Sequence, residues 1–485
     1  MKKTGDDYFD SEDFRDMLKE YEQAVNTGQP VLMDADELAE IADFYQLDGQ
    51  LDEAENAITL ALSLSPGAIA PLTYRIHEAL YNGDVEAAKR YLAQIVEKGE
   101  PDYVYDTAEI MLAEGKVDEA DQYLRDTFKT IAPDEYQDYV VDVASLYQDC
   151  GFSDKAMEWM SRAKPEDSAD FKELMARTLF GLGKYKDSER LFSELIDTDP
   201  FQKRYWNALA SAQFMSEDYS NSIQSSEYAI AIDPDDTEGL LSKANGLYQL
   251  NNYKDALEYF RRYSEKEPDD EFSYMYQGTC LLNMNQNEEA IKVLEQAENV
   301  APEDSPYLPD IYQELCFAYS ELGDVDKGLD YLNKTDTLDC DHIGLMVVKG
   351  HVLLGAGRVE EAEKMYRQAI RESENAIPDE EHPGLSSSKT LMRVIVSLYD
   401  NKYVEAAYKM FLKYFKLVER DYDEGYAYMA LCCYELEKYD EFLKYLKEAC
   451  KRNPQECNLA LSHLFPSEVK PDQYYEYIKN KMKNR

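Results

Sequence analysis

At 485 residues the chain is longer than one hydrophobic core usually supports, so several domains or a repeat architecture must be present. With 98 Asp plus Glu against 51 Lys plus Arg, the formal net charge is −47, which repels a phosphate backbone and an anionic bilayer alike and argues against nucleic acid and membrane surfaces as partners. No apolar run reaches the length of a spanning helix, and the opening Met1-Lys2-Lys3-Thr4-Gly5-Asp6-Asp7 holds no apolar stretch for a secretory signal, so a cytoplasmic location is expected.

Taken in chain order, Ser11 to Thr27 form the first helix, with Ser11 as its N-cap and Phe14, Met17, Leu18 and Tyr21 along one stripe; residues 1–34 read as an N-terminal capping segment. Next, Leu38, Ile41, Ala42 and Tyr45 recur at helical spacing, Gly49 breaks the helix, Ala54, Ile58 and Ala61 resume one apolar face, and Pro66 stops it. This unit of helix, turn, helix and stop then repeats.

A small residue returns roughly every 34 residues, at Ala54, Ala88, Ala120, Ala156, Ser188, Ser222, Ala256, Ala290, Gly328, Ala362 and Ala406. Twelve residues before each lies a second, mostly small position: Ala42, Ile76, Ala108, Ala144, Ala176, Ala210, Ala244, Gly278, Cys316, Gly350 and Val394. Two ladders at a fixed offset require two helices per unit that touch where side chains are smallest. Turns recur at Gly83, Gly115, Gly151, Gly183, Gly323 and Gly357, and stops at Pro200, Pro234, Pro268, Pro302 and Pro454.

Register breaks mark the organisation. Glu303 to Pro306 lengthen one unit, and 372–388, carrying Ile377-Pro378 and His382-Pro383-Gly384, is the expected boundary between a main array (35–371, about ten units) and a shorter one (389–455). Residues 456–485 supply the closing cap, with Asp472 to Lys483 as its last helix, and Phe442 replaces the small residue in the final unit.

These units resemble the tetratricopeptide repeats, whose pattern is matched best by Trp206, Leu209, Ala210 and Pro234, and by Tyr274, Gly278, Leu281, Ala290, Leu294 and Pro302. The resemblance implies an all-α, right-handed α-solenoid (superhelix) of about twelve helix-turn-helix repeats with capping helices at both ends. It also implies a concave surface lined by positions 2, 5, 9 and 12 of each first helix, where partner peptides lie.

Those positions fall into three zones. Asp36, Asp43, Asp102, Glu109 and Asp138, with His77 and Tyr105, make an acidic trough suited to a Lys/Arg-rich partner segment. Arg177, Phe180, Arg204, Asn207, Phe214, Asn245 and Tyr248 form a middle zone, where cations and amides between aromatics suit a carboxylate or an extended backbone. Phe272, Met275, Leu282 and Val347 turn the last zone apolar.

Chemistry finds no comparable pattern. Gly181-Leu182-Gly183-Lys184 lacks phosphate-loop spacing and sits at an inter-helix turn, and there is no H-E-x-x-H or G-x-S-x-G. The eight cysteines show no C-x-x-C spacing, as expected of buried thiols in a reducing compartment. Asp339-Cys340-Asp341-His342 with His351, the nearest approach to a metal-ligand group, reads as a turn; no metal or other cofactor and no catalytic residue is expected. The expected function is a non-catalytic protein–protein interaction scaffold that takes a partner peptide or helix in its groove. Alternatives are a peptide-sensing regulator or a subunit of an enzyme complex, and an incompletely capped end can stack on its own copy.

Overall fold

A computed structural model describes residues 6–9, 11–375, 385–418 and 423–483. Every regular element among them is a helix. Ser11 caps the helix Glu12–Thr27 by accepting the Phe14 amide, and Asp34 opens the first repeat with a reciprocal capping box to Glu37.

The chain divides into two compact units, one up to Pro234 and one from Asp235. In the first, six helix pairs begin with the helices Ala35–Leu47, Ile69–Tyr81, Pro101–Ala113, Tyr136–Asp149, Ala169–Gly181 and Lys203–Met215. In the second, six pairs begin with Thr237–Gln249, Glu271–Asn283, Leu308–Glu321, His342–Gly355, Leu385–Asp400 and Tyr426–Glu435, followed by Pro454–Leu461 and Tyr474–Lys483. Among the described residues each unit is an all-α array of helix pairs, as the repeat implied.

The two ladders meet as their sizes require. The Ser188 hydroxyl donates to the Ala176 carbonyl and that of Ser222 to the Ala210 carbonyl, each at 2.8 Å, so a side chain of one helix reaches the backbone of the other. A Cβ placed on Gly328 would lie 2.8 Å from the Cys316 carbonyl oxygen. Larger groups at these points would force the pair apart and expose the leucines and aromatics packed around them.

Each of the twelve turns contains one residue in the left-handed region, seven after the small contact position of the pair's first helix. Glycine fills it at Gly49, Gly83, Gly115, Gly151, Gly183, Gly323 and Gly357, but Glu217, Asn251, Asn285, Lys402 and Glu437 hold the same geometry with φ between 58° and 68°. Reading for glycine alone missed these five turns.

This landmark corrects one ladder step. Lys402 places the small contact at Ile395 and Ala407, both fully buried, whereas Ala406 is partly exposed. Two adjacent alanines satisfy the pattern equally, and only the turn geometry selects between them. Phe442 fits because it faces Ala430, which is fully buried, so a large and a small residue share one contact.

The expected boundary loop, Ile377 to Gly384, lies outside the described residues. Beyond it the helix Leu385–Asp400 packs on its predecessors: the Tyr366 and Ser397 hydroxyls are 2.6 Å apart, and Val394 joins the cluster of Val347, Tyr366 and Ala369. Proline marks the helix ends as expected, although Pro454 also starts Pro454–Leu461, where its missing N–H costs nothing.

Candidate functional site

The first helices expose their stripe unevenly. Position 5 is the seam between successive first helices and is buried at Tyr105, Asn207, Met275 and Val347. Asn207, only 2% exposed, is therefore a core amide and offers no surface to a partner. Positions 2, 9 and 12 stay more open.

The middle zone is occupied by its own chain. Arg177 pairs with Asp149 at 2.8 Å, and Arg204 pairs with Glu173 at 3.2 Å while stacking on Tyr205. At position 12, Phe180, Phe214 and Tyr248 each meet the first tyrosine of the following helix, Tyr185, Tyr219 and Tyr253, edge to face with centroids 5.3–5.6 Å apart. These aromatics close their own turns. Asn245 is half-buried beside the Ala244 contact.

In the first unit the acidic stripe is partly withdrawn from water. Burial pushes the Asp43 carboxyl up to about 6, and burial likewise raises Asp142, which accepts the Tyr105 hydroxyl at 3.0 Å. Asp102 is half-buried and Asp138 exposed. His77 lies between two carboxylates, its Nε2 3.2 Å from Glu109 Oε2 and 3.5 Å from Asp106 Oδ1. Desolvation opposes charging of the ring, but with 47% of the side chain exposed the two acids decide, and its pKa is pushed up to about 10.

The second unit holds a recess. A cavity of about 820 Å³ opens over three successive first helices and is lined at their positions 2, 5 and 9: Asp310, Gln313 and Phe317; Gly344, Val347 and His351; Lys389, Met392 and Val396. Val348 and Arg393 add to its wall. Its floor is apolar and its rim is acidic, with Asp310, Asp339, Asp341, Asp400 and Glu424 against Lys389 and Arg393, and Arg393 is tied to Asp341 at 2.5 Å. Beside this wall, burial and the Asp310 charge push Glu314 up to about 7.

The segment Asp339 to His342 does not gather with His351 into a ligand group. Asp341 caps its own helix through the Gly344 amide, and His351 Nδ1 sits 3.0 Å from the Ser397 hydroxyl and 3.2 Å from the Asn401 amide. Of the recess, only Val347 was among the expected site residues. Met392 was hidden by the one-residue register slip, Arg393 lies off the stripe, and Phe317 stood at position 9.

Tetratricopeptide-repeat models match residues 75–128, 174–237 and 343–375, and a model described as anaphase-promoting complex, cyclosome, subunit 3 matches 207–297. The matched segments of this chain are of the tetratricopeptide-repeat type. Among curated proteins it is similar to Protein FlbA of Caulobacter vibrioides, 24% identical over 213 residues, a match that takes in 43% of this chain and 35% of that relative. The similarity thus spans about a third of FlbA's length. Among solved structures, MamA of Desulfovibrio magneticus RS-1, residues 41 to its end, aligns at TM-score 0.33 and 16% identity over 36% of this chain and 98% of that one. A second MamA structure aligns at TM-score 0.31 and 20% identity over 34% and 95%.

Proposed function

We propose that this repeat protein is a non-catalytic interaction scaffold whose second unit holds a partner segment with an apolar anchor flanked by Lys or Arg. The observation that carries the reading is the recess over Phe317, Val348 and Met392, rimmed by five carboxylates and two cations. Apolar side chains of a partner gain by leaving water there, while cations at the rim meet charge of opposite sign. A tetratricopeptide array supports such a role because its residues at positions 2, 9 and 12 are not needed for the fold, and a match to a subunit of a multiprotein complex is in keeping with it.

Fluorescence anisotropy with the full chain tests this. A labelled peptide of Leu and Phe flanked by Lys should bind, weaken as salt rises, and lose roughly tenfold or more in affinity on Val348→Asp. Equal binding of the Glu-flanked twin, or indifference to Val348→Asp, would remove the recess as the docking site.

A further inference from the structure

The first unit contains a second arrangement, independent of the recess. His77, Asp106 and Glu109 each bring one potential ligand atom within 4.8 Å of the other two, from the first helices of two consecutive repeats. Asp106 and Glu109 are three residues apart and share a helix face, and His77 comes from the preceding Ile69–Tyr81.

The geometry is that of a loose ion pair. A charge-assisted N–H···O bond closes to about 2.7–2.9 Å when one donor meets one acceptor, and an N–H shared between two acceptors is longer to each. Here one ring nitrogen stands 3.2 Å and 3.5 Å from oxygens of two different carboxylates. Ligands held about 2.0–2.1 Å from a tetrahedral zinc ion are separated by roughly 3.3 Å, close to the 3.2 Å and 3.5 Å between the ring nitrogen and the two carboxylate oxygens.

The surroundings suit a built site. Asp106 is only 2% exposed, and its second oxygen, Oδ2, accepts the Thr73 hydroxyl at 2.6 Å, which turns Oδ1 toward the other two groups. Glu109 and His77 keep 26% and 47% of their side chains exposed, leaving the fourth direction open for entry of an ion. Asp43 on the helix before them adds negative charge near the ring.

We propose that His77, Asp106 and Glu109 form a site for a zinc-type divalent transition-metal ion, with Thr73 orienting Asp106. An imidazole among the ligands disfavours Mg²⁺ and Ca²⁺, which take oxygen. Bound there, the ion staples two consecutive repeats and keeps a coordination position free for a carboxylate or imidazole of a partner.

The test is titration of the full, tag-free, metal-stripped chain with Zn²⁺ by calorimetry, and with Co²⁺ by visible absorption. The expected result is one tight equivalent, a four-coordinate Co²⁺ spectrum, and no displacement by excess Mg²⁺ or Ca²⁺. Affinity should fall at least roughly tenfold in His77→Gln and in Glu109→Gln, and about tenfold in Thr73→Val, with unchanged far-UV circular dichroism. Glu109 is partly exposed, so its variant keeps the test alive if His77→Gln does not fold. Absence of saturable binding makes the triad a plain ion pair, and unchanged affinity in both variants assigns the ion to scattered surface acids; either result overturns the site.

Discussion

The two units use one backbone plan for different surfaces. In the unit up to Pro234 the open stripe is largely satisfied from within, through His77 with Glu109, Arg177 with Asp149 and Arg204 with Glu173. In the unit from Asp235 the same stripe runs through Phe317, His351 and Val396 and leaves an apolar recess. The turns differ too. Glycine holds the left-handed position in five of the first unit's six turns, Glu217 being the exception, whereas Asn251, Asn285, Lys402 and Glu437 hold four of the second unit's six. The contrast teaches that small-residue contacts and turn geometry carry the fold, while positions 2, 9 and 12 vary without disturbing it.

The largest expected effect is local to one unit. Trp159 is fully buried, donates its indole N–H to Asp121 at 3.1 Å and carries Arg162 stacked 4.1 Å from its ring. Trp159→Ala should cost about 3–5 kcal/mol. Hydrogen exchange should then show lost protection for amides before Pro234 and retained protection after Asp235, since repeats couple mainly to their neighbours. Equal loss in both units would make them one cooperative body.

The turns give a smaller effect of opposite sign in the two units. A Cβ at Gly115 meets nothing within 4 Å, so Gly115→Ala carries only backbone strain, about 1–2 kcal/mol. Lys402→Gly relieves similar strain but frees the unfolded chain, leaving a gain of about 0.5 kcal/mol. Denaturant melts of both variants measure this, and a stabilised Gly115→Ala would refute the reading of the turns.

A pH-dependent effect sharpens the contrast further. Burial raises Glu314 to about 7, above the usual value near 4.3, so the folded chain holds its proton more tightly. Stability from this group is complete below the unfolded value and declines as pH rises through about 7. Glu314→Gln should therefore raise the melting temperature at pH 8 and leave it nearly unchanged at pH 4. An equal gain at both values would mean that Glu314 is charged throughout.

Much of the fold was legible because the decisive signals are local. The contact of Ala42 with Ala54, the break at Gly49 and the capping of Glu12–Thr27 by Ser11 each depend on residues a few turns apart. The groove was less legible. Which stripe residues remain open depends on how closely successive first helices approach, and that approach buries Asn207 and Tyr105 while leaving Arg177 and Arg204 exposed. Asp106, at position 6, lay outside the stripe, and only the packing of Ile69–Tyr81 against Pro101–Ala113 joins it to Thr73 at position 5.

Taken alone, the order of residues determined that the chain would fold as paired helices, how many pairs there would be, and where the glycine-marked pairs would turn, because helical periodicity and small-residue spacing act within one unit. The tertiary structure alone decided the contact register at Ile395 and Ala407, the recess over Phe317 and the meeting of His77 with Asp106 and Glu109. The recess and the triad join side chains from first helices roughly one repeat apart, where a small rotation of one helix on the next determines which groups face each other.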